Sequence, residues 1–262
     1  MSIALITGGS SGIGFETANA LREKGVTVYE MSRRESHQDG VIHLSGDVTN
    51  KEDIESAVNT VISKEGRIDI LINNAGFGIS GAAEFTPIEA AQKQFNVNFF
   101  GLCSMCSSVI PHMRKNGGGR IVNISSVAAV APISFQAFYS ASKACINSYS
   151  IALGNEVKDF GISVTAIMPG DIKTCFTDVR ESEYIGDDIY GGKIHRSVEK
   201  MERDEKNGMS PQLAGRYIAK IALKKKVKPL YAIRIDYKFL SVLARILPVR
   251  TLSWLLRKLY VL

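Results

Sequence analysis

Short β-branched runs alternate with helix-length segments through the first two-thirds of this chain, and that alternation constrains the fold more than any other feature. The strand candidates are residues 3–6, 26–31, 41–44, 68–72, 120–124 and 163–168; the helical stretches between them include 13–24, 52–64, 88–114 and 139–160. Strands joined by helices return to their sheet as parallel crossovers, and helices on both faces require strands that are apolar on both sides. Gly25, Gly66 and Gly161 follow helical segments, where a left-handed glycine ends a helix at low cost. The pattern predicts an α/β fold, a doubly wound parallel sheet of Rossmann type with helices on both faces. The length of 262 residues suits one large domain, and 45% apolar with 22% charged residues excludes a disordered chain. We place the domain at residues 1–228. Residues 176–209 within it are polar and lack clear periodicity, so they read as a substrate lid or as a plain solvated insertion.

Thr7-Gly8-Gly9-Ser10-Ser11-Gly12-Ile13-Gly14 follows the first strand and opens the first helix. Glycines there let the backbone pass close to a pyrophosphate held at the helix N-terminus. A dinucleotide fold usually ends its second strand in an acid that takes the adenosine ribose. Here the corresponding residues are Ser32-Arg33-Arg34, and guanidinium groups suit a ribose 2′-phosphate. The expected cofactor is therefore NADP(H), with NAD(H) as the alternative in which nearby Glu30 takes the ribose.

Tyr139 and Lys143 are four residues apart and share a helix face. A neighbouring cation favours the phenolate, which suits proton delivery to a carbonyl or the reverse reaction. Ser125 and Ser126 follow the strand at 120–124, Asn73-Asn74-Ala75-Gly76 closes the strand at 68–72, and Pro169-Gly170-Asp171-Ile172-Lys173-Thr174 follows the strand at 163–168. With the glycine-rich turn, four polar motifs fall at the strand ends where open α/β sheets bind ligands.

These motifs, with Asn98 in Asn96-Val97-Asn98, resemble the short-chain dehydrogenases/reductases from Ile3 to about Leu223. Thirteen residues separate Ser126 from Tyr139, the usual spacing in that family, which favours Ser126 over Ser125 as its catalytic serine. The resemblance implies carbonyl–alcohol interconversion with catalytic residues Asn98, Ser126, Tyr139 and Lys143. Tyr139 would be the acid/base, Ser126 would bond the substrate oxygen, and Asn98 would anchor a water. Lys143 would hold the nicotinamide ribose and depress the Tyr139 pKa. Cofactor contacts would come from Gly8, Ser10, Ser11, Gly12, Ile13, Gly14, Ser32, Arg33, Arg34, Asp47, Val48, Asn74, Ala75, Gly76, Tyr139, Lys143, Pro169, Gly170, Ile172 and Thr174. Asp47 would contact the adenine and Thr174 the nicotinamide carboxamide. Ser10 and Ser11 depart from members that carry a basic residue in the turn, so the NADP preference rests on Arg33 and Arg34. A homodimer or homotetramer is expected. A protein that senses NADP(H) without chemistry is the competing class, although it would have no need of all four catalytic residues.

The formal charge of +6 is unevenly placed, because residues 216–262 carry twelve Lys or Arg against the single acid Asp236. Residues 229–262 read as a basic amphipathic extension. One apolar stripe runs through Phe239, Val242, Leu243, Ile246 and Leu247, and after Pro248 a second runs through Leu252, Leu255, Leu256 and Leu259. They could pack on the domain, cover a second subunit, or make peripheral membrane contact through residues 239–262 to serve lipophilic substrates. The charge is not interleaved with a reading element, so nucleic acid is not expected. No apolar run reaches membrane-spanning length, and no basic segment precedes residues 3–6 as in a signal peptide. Four cysteines are too few for a disulfide framework, which fits a reducing cytoplasm. Cys103 and Cys106 read as buried apolar residues, and no metal site is expected from them or from His37, His43, His112 and His195.

Overall fold

A computed structural model of the chain describes residues 1–174 and 180–261. The elements begin with β1 (Ile3–Thr7), α1 (Gly12–Arg22), β2 (Thr27–Ser32), β3 (Val41–Ser45), α2 (Lys51–Glu65), β4 (Ile70–Asn73) and the short β5 (Ile79–Ser80). There follow α3 (Ile88–Phe95), a π turn at Asn96–Phe100, α4 (Gly101–Lys115), β6 (Gly119–Ile124), α5 (Ala137–Glu156) and β7 (Ile162–Met168). The last are β8 (Glu181–Ser182), α6 (Lys193–Lys206), α7 (Pro211–Ala222), β9 (Leu230–Ala232), α8 (Ile235–Ile246) and α9 (Val249–Tyr260).

Among the described residues seven strands form one parallel sheet in the order β3-β2-β1-β4-β6-β7-β9, and β5 pairs with β8 separately. Central β1 aligns Ala4 with Val28 of β2 and with Ile70 of β4. The order runs outward in both directions from β1 and β4. Crossovers therefore diverge there, and a crevice opens at the carboxyl ends of the strands.

Successive strand residues point to opposite faces, so the sheet has two cores. Leu5, Tyr29, Met31, Leu71 and Ile121 pack with Ile54 and Val58 of α2, Met105 and Val109 of α4, and Ile146 of α5. On the other face Ala4, Ile6, Val28, Ile72 and Val122 meet Leu21 of α1 and Ala214 and Ile218 of α7. Each buried Leu or Ile contributes about 1.5–3 kcal/mol through the area it removes from water. α7 lies close against α1, since a Cβ on Gly215 would stand 2.5 Å from the Glu16 backbone.

The expected doubly wound sheet is present, with differences in detail. The helix expected over residues 88–114 is divided by the π turn, which carries Asn98 inward. The lid region is not irregular over its described part: β8 and α6 lie there, and residues 176–179 lie outside the described residues. Ile194, Val198 and Met201 of α6 are buried against Ala82, so this segment has a small core of its own. The boundary at residue 228 needs correction, because β9 begins beyond it and pairs Leu230 with Ala166 of β7. Three residues between a lysine-rich run and a polar turn are too short to show strand periodicity.

Candidate active site

Gly8 ends β1 in the left-handed region (φ 67°), and its amide donates to the Met31 carbonyl at 2.8 Å. Gly14 closes the turn from below, where a Cβ would stand 2.2 Å from the Gly8 carbonyl oxygen. The Ser11 side chain makes no capping bond to α1. The helix thus presents its first amides and its positive dipole end to the cleft, which suits an anion. Thr7 Oγ1 accepts from the amides of Asn74 (3.1 Å) and Ala75 (3.2 Å), while Asn74 Nδ2 donates to the Gly8 carbonyl at 2.9 Å. These bonds tie the end of β4 to the glycine-rich turn.

At the far end of the cleft, Ser32 Oγ donates to the Arg34 carbonyl at 2.9 Å, and the exposed Arg33 guanidinium lies 3.6 Å from the Asp47 carboxylate. Glu30 is fully buried beneath Gly9, bonded to Ser32 Oγ and His43, and is not part of the cleft wall.

Ser126 ends β6 and accepts from the Ala128 amide at 3.1 Å. Tyr139 and Lys143 come from the first turns of α5, where Ser125 Oγ donates to the Lys143 carbonyl at 3.0 Å and fastens the helix to β6. Lys143 Nζ donates to the Ile124 carbonyl at 2.9 Å and lies 5.7 Å from the Tyr139 ring centre. Burial pushes Tyr139 up to about 12, opposed by its hydrogen bond with Ser126. Burial also draws Lys143 down to about 8. Desolvation is thus the largest influence on both groups, and Lys143 stands beside the phenol with its Nζ held by the Ile124 carbonyl.

Of the expected catalytic and cofactor-contact residues, all but Gly14 and Asn98 line one cleft of about 470 Å³. Asn98 stands one layer behind the wall. Its Oδ1 accepts from the Phe77 amide and its Nδ2 donates to the Phe77 carbonyl, both at 2.9 Å. A Cβ on Gly76 would meet Asn98 Oδ1 at 3.0 Å and Lys143 Nζ at 3.6 Å, so the two side chains converge across that glycine.

Sequence reasoning missed three residues of the substrate side. Glu205 of α6 lines the cleft and is paired with the buried Arg180. Asp171 lines it too, and burial raises its pKa against the hydrogen bond from Tyr237. Asp171 sits inside a quoted motif, whereas Glu205 and Tyr237 are distant in sequence and carry no local mark. Cys103 and Cys106 lie away from the cleft wall; burial pushes their thiols up to about 11 and about 12.

The family model described as short chain dehydrogenase matches residues 2–184. The chain belongs to the short-chain dehydrogenases. Among its relatives in this oxidoreductase family is the 3-ketodihydrosphingosine reductase of Bacteroides thetaiotaomicron, 46% identical over 226 residues, covering 85% of this chain and 84% of that protein. The 11-beta-hydroxysteroid dehydrogenase-like 2 protein of Arabidopsis thaliana is 34% identical over 256 residues, covering 92% and 82%. The crystal structure of a short-chain dehydrogenase from Streptomyces avermitilis superposes with a TM-score of 0.82 at 28% identity, covering 92% of this chain and 90% of that one.

Proposed function

We propose that this short-chain dehydrogenase reduces the carbonyl of a lipophilic ketone at the expense of NADPH, with Tyr139 as the proton donor. The observation that carries the reading is Tyr139 beside Ser126 and Lys143 in the same cleft as the uncapped end of α1. The residues present fit a dinucleotide: the free helix end accepts the pyrophosphate, and Ser32, Arg33 and Arg34 accept a 2′-phosphate. Asp47 and Val48 would hold the adenine, and Pro169, Gly170, Ile172 and Thr174 would hold the nicotinamide. When bound, the cofactor supplies the hydride.

Ser126 holds the substrate oxygen by a hydrogen bond, and the Tyr139 hydroxyl gives it a proton. The Lys143 ammonium stabilises the phenolate left behind and binds the ribose hydroxyls. Asn98 holds the Phe77 peptide against this group and anchors the water that returns a proton. Phe77, Val97, Val127 and Ile133 give the substrate side an apolar wall. That wall, with the similarity to a 3-ketodihydrosphingosine reductase, supports a long-chain ketone as substrate. Exposed Phe100 and Ile151 beside α4 and on α5 support a homo-oligomer.

NADPH absorbance tests both parts. Tyr139→Phe is expected to lower turnover by about 10²–10⁴-fold with cofactor affinity retained. Full turnover in that variant overturns the mechanism. 3-Ketodihydrosphingosine in micelles should be reduced faster than a short water-soluble ketone; the reverse order overturns the substrate reading.

A further inference from the structure

The structure divides the two apolar stripes of the tail. Leu252 and Leu256 of α9 turn inward and are buried with Ala131, Leu240, Ala244 and Leu247. The stripe along α8 divides, with Leu247 turned inward and Phe239, Val242 and Ile246 turned out. Ile235 (83% exposed), Phe239 (67%) and Ile246 (73%) face solvent with Val242, and Val249 (82%) continues the line past Pro248. Spacings of four, three and four residues place Ile235, Phe239, Val242 and Ile246 on one side of the helix. Lys238 and Arg245 run along one edge of that stripe. The outer side of α9 adds exposed Arg250, Trp254 and Arg257, with Lys258 Nζ 4.3 Å from the Trp254 ring centre.

We propose that this face docks on an anionic lipid surface. Each helix has 12 residues, about 18 Å, which is short of the ~30 Å hydrocarbon core, so they can lie in the interface without crossing it. Apolar residues flanked by cations, with an aromatic at the margin, suit the boundary between headgroups and acyl chains. A second copy is a poor occupant, since an antiparallel two-fold contact of α8 on itself would bring the Lys238 and Arg245 edge against the same edge of its mate. The inner side of α8 bears Tyr237, which bonds Asp171 in the cleft wall. Docking would therefore set the rim of the cleft beside the bilayer. Only that consequence for substrate delivery rests on the reductase reading; the docking itself is measured without turnover.

The test is co-sedimentation of the full chain with vesicles of phosphatidylcholine alone, or with about one quarter phosphatidylserine, at about 0.1 M and 0.5 M salt. The chain should pellet with the anionic vesicles and be partly released by salt. Phe239→Ser with Ile246→Ser should weaken partitioning by roughly tenfold or more, because both side chains are exposed in the free protein and buried only on the membrane. Arg245→Gln with Arg250→Gln should retain weak binding but lose the preference for phosphatidylserine. Circular dichroism and melting temperature should be unchanged in all of them. A chain left in the supernatant with anionic vesicles overturns the proposal, as does equal pelleting of the Phe239/Ile246 variant. An oligomer that this variant splits into monomers would show that a second copy covers the face, and would overturn it as well.

Discussion

Tyr237 and Asp171 hold each other twice: the Asp171 amide donates to the Tyr237 hydroxyl at 3.1 Å, and that hydroxyl donates to the Asp171 carboxylate. The Tyr237 ring covers Gly170, where a Cβ would come within 2.1 Å of it. A side chain from α8 thus secures the loop after β7. Tyr237→Phe leaves the half-buried Asp171 carboxylate without this donor, at a cost of about 1 kcal/mol or more. A domain of this size then melts roughly 2–10 °C lower. The KM for NADPH should rise while kcat changes little. Unchanged melting and KM would mean that the loop holds itself.

On the proposed mechanism, Lys143 should set the pH dependence. Its ammonium, drawn down to about 8, is present below that pH and lost above it, and with it goes the charge that stabilises the forming phenolate. Reduction should be level on the acidic side and fall about tenfold per pH unit above the inflection. Lys143→Met should abolish the inflection along with most of the activity. A profile level to about pH 10 would remove Lys143 from this role.

Asn98 serves a peptide that the cleft wall cannot do without. Asn98→Ala strands the Phe77 amide and leaves the Phe77 carbonyl to Gln94 Nε2 alone (3.2 Å), costing about 1–3 kcal/mol for the group left unpaired. The expected result is a lower melting temperature together with a lower kcat. Asn98→Asp keeps the acceptor for the Phe77 amide but not the donor, so it should fall between. An alanine variant with parental melting would contradict this.

On the proposed reading, Arg33 is the residue that should favour NADPH over NADH. Its side chain is 71% exposed and lies 3.6 Å from Asp47, so replacing it removes little from the fold. Arg33→Asp should raise the KM for NADPH by roughly ten- to a hundredfold, the worth of one charge-assisted hydrogen bond. The KM for NADH should improve. Equal NADPH affinity in the variant would leave Arg34 and Ser32 as the phosphate ligands.

Much of the cleft is legible in the sequence because a parallel sheet collects the ends of its strands. Once Thr7, Asn73, Ile124 and Met168 are read as strand ends, the motifs after them must share an edge, and the structure places them together. Reach across the chain was not legible. Tyr237 meets Asp171 from 66 positions away, and α6 brings Glu205 into the wall from a polar stretch with no strong period. α7 could have been found: Ser210 caps it, Pro211 occupies its first turn, and Ala214, Ile218 and Ile221 repeat along its buried side. The desolvation of Tyr139 and Lys143 was not legible either, since a sequence shows the neighbouring cation but not how far the two groups are removed from water.

β9 adds only three residues to the sheet, but it is made late. During synthesis β7 must stand with a bare edge until more than sixty further residues have been added, roughly 3–13 s at ribosomal speed. Unpaired edges invite other chains, and Lys224, Lys225, Lys226 and Lys228, just ahead of β9, carry the charge that discourages them. The lysine run thus arrives with the last strand and lies beside β9, the edge at which the finished sheet ends.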